Sequence, residues 1–282
     1  MEKRALGRTG ESLSVVGFGG IVVKDESPES AAALVKRAID RGINYFDVAP
    51  SYGDAEEKLG SALEPYRRSV FLACKTGERG AEGAARELKR SLELLRTDHF
   101  DLYQLHGVTT VAEVDRIFAP DGAMEVFLDA RKRGVVKHLG FSAHSEAAAL
   151  ALMDRFDFDS ILFPINWVCW HQGGFGPSTV KRAAEKGMGI LALKALARRP
   201  WSEGEERNWP KCWYAPAESL EEATLGLRFT LSRGVTAAVS PSHAELLWWM
   251  CDAADKGITP LSEAEEAALK ARSAGIKPIF PH

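Results

Sequence analysis

The sequence predicts a (β/α)8 TIM barrel with an N-terminal β-hairpin and a C-terminal helical tail. Three observations carry that expectation. Short apolar runs alternate with amphipathic helical stretches in eight successive units along the 282 residues. The runs are apolar throughout, as strands of a parallel sheet buried on both faces would be. Polar side chains recur just past the strand ends, where barrels of this kind gather their chemistry.

Each element has a local reason. Residues 3–16 hold two short segments about Arg8-Thr9-Gly10, a hairpin signal, and could close one end of the barrel. Strand one covers 15–19. The first helix covers 28–41, with Ser27 to cap it, Pro28 in its first turn and Gly42 to stop it. Strand two is 43–46 and its helix 55–63. Strand three, 69–74, ends at Lys75, and the helix at 82–95 aligns Leu88, Leu92 and Leu95 on one face. Strand four, 100–105, ends at His106. A long loop separates it from a helix at 123–133. Strand five, 135–141, ends at Ser142 and leads into a helix at 145–155. Strand six, 160–163, ends near Asn166 and precedes a helix at 177–186. Strand seven, 189–193, ends at Lys194. The segment 195–216 is irregular and carries Trp201, Trp209, Trp213 and Tyr214, which suits a flap over a ligand. A helix at 218–232, strand eight at 235–239, a helix at 244–254 and a polar helix at 262–274 complete the chain. No linker-like run divides it, so one domain over 1–282 is expected.

The hydrophobic fraction of 45% suits a chain that buries a sizeable core. A net charge of −3 gives no footing for a nucleic-acid or acidic-membrane partner. Cys74, Cys169, Cys212 and Cys251 show no metal-ligand or disulfide spacing. Cys74, beside Lys75 in its strand, faces the opposite way, behind the barrel wall. The N-terminus has no signal-peptide core, and no apolar run approaches the ~20 residues of a membrane span. The expectation is a soluble, cytoplasmic protein, monomeric or a small homo-oligomer, acting on a small molecule with no metal.

Three neighbouring strand ends deliver Asp47, Tyr52, Lys75 and His106 to one mouth. An acid, a phenol, an ammonium and an imidazole together suit proton donation to a carbonyl oxygen. A free tyrosine is a poor acid at neutral pH, and a nearby Lys75 ammonium favours its ionised form. Asp47 can hold the lysine, and His106 can orient the carbonyl or relay the proton. If Tyr52 protonates oxygen, hydride must reach carbon, and no side chain supplies hydride; a nicotinamide does.

These residues, with Asn44-Tyr45-Phe46-Asp47, Tyr52-Gly53, Glu57-Lys58-Leu59-Gly60, Asp101-Leu102-Tyr103-Gln104-Leu105-His106 and Gly140-Phe141-Ser142 in order, resemble the aldo-keto reductase family over essentially the whole chain. The resemblance implies a (β/α)8 barrel with a hairpin-sealed floor and reduction of an aldehyde or ketone to an alcohol. It implies NADP(H) as the favoured cofactor, with NAD(H) as the alternative. It makes Tyr52 the general acid and Asp47, Lys75 and His106 its partners. Cofactor contacts then fall on Gly20, Ile21, Asp47, Ser142, Asn166, Lys194, Leu196, Ser240 and Ser242.

The cofactor side departs from the family pattern. Ser142-Ala143-His144 replaces Ser-Asn, Leu162 stands where a glutamine is usual, and Leu193 stands where an aromatic usually stacks. The run from Val239 to Leu247 lacks the cation that usually grips a 2′-phosphate, leaving His243 in the vicinity. The aromatic flap, with Trp167 and Trp170, hints at an apolar or aromatic carbonyl. The alternative reading is a cofactor-binding regulatory or sensor protein without significant turnover. A lyase using Lys75 as a Schiff base is a third reading that fits the acidic and phenolic neighbours less well.

Overall fold

A computed structural model describes residues 1–280; Pro281 and His282, the last two of the expected 1–282 domain, lie outside the described residues. The N-terminal hairpin forms as β1 (Lys3–Ala5) and β2 (Ser12–Ser14), paired antiparallel with Arg4 opposite Leu13. Leu6 and Leu13 are fully buried, and they pack with the inward side chains Tyr45, Phe71, Leu102 and Leu191. A Cβ at Gly189 would stand 2.3 Å from Leu6 Cδ1, so the hairpin can plug the floor only because that position has no side chain.

Above this floor stand β3 (Val16–Gly19), β4 (Tyr45–Asp47), β5 (Phe71–Thr76), β6 (Phe100–Val108), β7 (Val136–Ala143), β8 (Ser160–Pro164) and β9 (Gly189–Leu193). A separate antiparallel hairpin follows, β10 (Ala197–Pro200) with β11 (Tyr214–Pro216), and then β12 (Ala237–Val239). The parallel barrel closes in the order β12-β3-β4-β5-β6-β7-β8-β9, with Ala238 of β12 opposite Val16 of β3. Strand alternation sorts the side chains. In β5, Phe71 and Ala73 face the barrel interior, whereas Leu72 and Cys74 join the outer core under the helices. That period puts Lys75 inside.

Around the barrel lie α1 (Pro28–Asp40), α2 (Ala55–Leu63), α3 (Ala81–Leu94), α4 (Val111–Phe118), α5 (Ala123–Lys132), α6 (Glu146–Arg155), α7 (Trp167–Gln172), α8 (Pro177–Glu185), α9 (Leu220–Leu231), α10 (Ala244–Asp255) and α11 (Glu263–Ser273). Ser27 caps α1 by accepting from Ser30 N, with Pro28 opening the helix. No helix among the described residues is long and apolar enough to cross a membrane.

Three expectations are corrected. The long loop after strand four contains α4, nucleated by a capping box between Thr110 and Glu113. The irregular segment 195–216 contains the β10–β11 hairpin. Trp167 and Trp170 lie away from the mouth: Trp167 packs with Val168, Phe229 and Leu269, and Trp170 meets Phe229 edge-on.

Candidate active site

The C-terminal strand ends open onto a cavity of about 220 Å³. Asp47, Tyr52, Lys75 and His106 all line it. Lys75 is 1% exposed and donates to Asp47 Oδ1 and, at 3.2 Å, to the Val48 carbonyl oxygen. Asp47 is fixed in turn, since Gln104 Nε2 donates to its Oδ2 at 3.0 Å and Tyr45 OH at 3.3 Å. A buried ion pair holds only where its remaining valences are met in this way. Burial pushes the Lys75 ammonium toward neutrality, but the Asp47 carboxylate outweighs burial and keeps it well above the usual lysine range. Gln104 and Tyr45 were missed by the sequence reading. Period-two alternation back from His106 in β6 and from Asp47 in β4 could have found them, because both face the interior.

Tyr52 sits on the loop after β4, with its ring centroid 5.3 Å from Lys75 Nζ and edge-on to the His106 ring at 5.8 Å. Its phenol is not lowered as expected. Burial pushes it up, Lys75 pulls it down, and Asp47 adds to the upward push, so the phenol stays protonated. His106 is held down to about 2, by burial first and then by the cationic neighbours led by Lys75, so its ring is neutral. Its position depends on a register irregularity at the end of β6, between Leu105 and Val108, where Gly107 takes φ +60. Arg79 donates to the His106 carbonyl oxygen at 2.8 Å and is itself held by Glu113, so the unforeseen α4 braces the histidine.

Of the other expected positions, Ile21, Ser142, Lys194, Ser240 and Ser242 line the cavity. Gly20, Asn166 and Leu196 are not among the lining residues. Gly20 lies under Val48, and Leu196 is in the outer core. The Asn166 amide caps α7, accepting from Cys169 N at 2.9 Å and donating to Cys169 Sγ. Ser142 Oγ accepts from Gly107 N at 2.7 Å, which leaves its own proton free to donate. Lys194 follows β9 at φ +65, with Nζ 3.5 Å from His144 Nε2.

The β10–β11 loop divides its aromatics. Trp213 and Tyr214 line the cavity, whereas Trp209 packs edge-on against His243 and Trp249, and Trp201 Nε1 donates to the Cys212 carbonyl at 2.8 Å. Lys211 is the residue that sequence reasoning passed over. Its backbone N donates to His243 Nε2 at 3.0 Å, and its carbonyl accepts from Ser242 Oγ at 2.9 Å. Its Nζ crosses to the loop after β3, reaching the Lys24 carbonyl at 2.6 Å and Glu26 Oε1 at 2.9 Å. The loop is therefore strapped over one side of the mouth. No cluster of potential metal ligands occurs among the described residues.

Comparison with known proteins agrees with the fold. The chain is 35% identical over 157 residues to an uncharacterized oxidoreductase, YqkF, of Bacillus subtilis, a match covering 51% of this chain and 49% of that protein. It thus spans about half the length of that relative. It is 26% identical over 243 residues to L-galactose dehydrogenase of Arabidopsis thaliana, covering 79% of this chain and 73% of that one. An aldo-keto reductase of Bacillus halodurans, solved in its holo form, superposes with a TM-score of 0.75 at 25% identity over 97% of this chain and 96% of that one. The family model described as "Aldo/keto reductase family" matches residues 15–262, and the chain belongs to that family.

Proposed function

We propose that the protein reduces an aldehyde or ketone to an alcohol with a nicotinamide cofactor, and that Tyr52 donates the proton. The observation that carries this reading is the buried Lys75–Asp47 pair placed beside the Tyr52 ring, with His106 edge-on to that ring, in one cavity. When bound, a nicotinamide cofactor would supply the hydride for the carbonyl carbon. As that carbon is reduced, its oxygen becomes an alkoxide, a far stronger base than a phenolate. Tyr52 therefore needs no lowered pKa to donate, only a protonated phenol in reach. Lys75 compensates the phenolate left behind, and Asp47 with Gln104 and Tyr45 holds Lys75 in place. Neutral His106 orients the carbonyl oxygen and carries no proton of its own into the step.

The residues fit the nicotinamide end of such a cofactor. Ser142 has a free hydroxyl proton for a carboxamide oxygen, and Ile21, Leu193, Tyr214 and Val239 offer apolar walls to a flat ring. Asn166 is engaged in its helix cap and does not join Ser142. At the far end His243 already accepts from Lys211, and Glu26 stands at the Lys211 ammonium. That arrangement supports use of NADH as well as NADPH.

Tyr52→Phe is expected to lower kcat at least a thousandfold with the cofactor Kd, read by tryptophan fluorescence, within about twofold of wild type. Unchanged turnover would remove Tyr52 as proton donor. Failure of both NADPH and NADH to bind would favour a protein without this chemistry.

A further inference from the structure

Three cationic side chains line the cavity, and two of them have carboxylate partners. Lys75 pairs with Asp47, and Lys211 pairs with Glu26. Lys194 has none within ion-pair distance among the described residues. Among the described residues its ammonium stands 3.5 Å from His144 Nε2 and over the faces of Trp213 and Phe280, at 5.6 and 5.4 Å from their centroids, with the Cys169 thiol as a further electrostatic neighbour.

The chain also accepts strain to keep this lysine here. At φ +65 the backbone is in the left-handed region, which costs a residue with a long side chain more than glycine or asparagine. A cation without a counter-ion among the described residues, enclosed by rings, is a second cost. Burial drives its pKa down to about 7, opposed in part by Cys169 and helped by a smaller push from Lys75. The second cost is offset when an anion enters the cavity. His144, held down to about 3 mainly by burial, stays neutral and adds no competing charge.

We propose that Lys194, with His144, is an oxyanion-binding position for a carboxylate carried by the carbonyl substrate, so that the enzyme prefers small aldehyde or keto acids to neutral carbonyls. This rests on the carbonyl-reductase reading above and names its substrate class. A dinucleotide phosphate offers similar chemistry. Lys194 shares its cavity with Tyr52 and His106 as well as with Ser240 and Ser242, so the NADPH-binding arm of the test separates the two sources.

The test compares 4-carboxybenzaldehyde with 4-methylbenzaldehyde in wild type, Lys194→Asn and Lys194→Arg. Asparagine removes the charge and tolerates the left-handed backbone, so the fold is kept. The ratio of kcat/KM for the carboxylated over the methylated aldehyde should fall about 10- to 100-fold in Lys194→Asn, the worth of one charge-assisted hydrogen bond, and recover in Lys194→Arg. Benzoate titrated by calorimetry reads the position without turnover, and should bind wild type and be lost in Lys194→Asn. An unchanged ratio, or a fall for both aldehydes alike with weakened NADPH binding, overturns the substrate assignment. If wild type reduces neither aldehyde but Lys194→Asn abolishes benzoate binding, the oxyanion position stands and the reductase reading fails. If benzoate binds neither protein, the position itself is refuted.

Discussion

At the scale of single residues, the mouth is governed by which charges are paired. Asp47→Asn leaves the buried Lys75 ammonium without its carboxylate, and should cost about 3–5 kcal/mol in a urea titration as well as activity. The raised Lys75 value means that the pair's stabilisation is fully present below the unfolded lysine value and is lost only as pH rises through the folded one, well into alkali. The histidines behave oppositely. His106 and His144 titrate at about 2 and about 3 in the folded chain and near 6.5 when unfolded. Below pH 6.5 the unfolded chain therefore binds more protons, and each residue should remove roughly 1.4 kcal/mol of stability per pH unit. His106→Asn with His144→Asn should flatten that acid limb in denaturation curves taken from pH 6.5 to 4.5; an unaltered slope would mean that the rings are not held neutral.

At the scale of elements, α4 links a helix cap to the chemistry. Thr110→Ala should cost about 1 kcal/mol of stability. Glu113→Gln should in addition loosen Arg79 from the His106 carbonyl and lower kcat severalfold, whereas a lowered melting temperature alone would leave α4 a structural helix. The same element marks where the sequence was only partly legible. The eight strands and the helices facing them announce themselves through apolar runs, Ser27, Pro28 and the glycine stops. The Thr110-Val111-Ala112-Glu113 signal was present, but it opens a helix of only eight residues between longer patterns. The four mouth residues were legible because each stands at or just past a strand end. Gln104 and Tyr45 were not, because inside a strand they read as filler until alternation is followed back from His106 and Asp47. Lys211 was hidden by distance: nothing local couples it to Glu26, 185 residues away. The rise of the Tyr52 pKa was also out of reach, since burial, which overrides Lys75, is a property of the folded mouth.

At the scale of the whole molecule, the barrel separates what stabilises from what reacts. Leu6 plugs the floor and is fully buried at the end opposite the mouth. Leu6→Ala should cost about 2–5 kcal/mol by denaturation while leaving kcat near wild type, provided the assay stays below the lowered melting temperature. A parallel loss of turnover would show that floor and mouth are mechanically joined.

The order of the closed barrel has a consequence for how such a protein can change. Asp47, Tyr52, Lys75, Gln104 and His106 all come from β4 to β6 and their loops, whereas Lys194, Trp213, Tyr214, Ser240 and Ser242 come from the last third of the chain. The two groups meet only across the cavity. On the function proposed above the two groups act as separable parts: the first would fix how a proton is delivered, and the second would decide what is held while that happens.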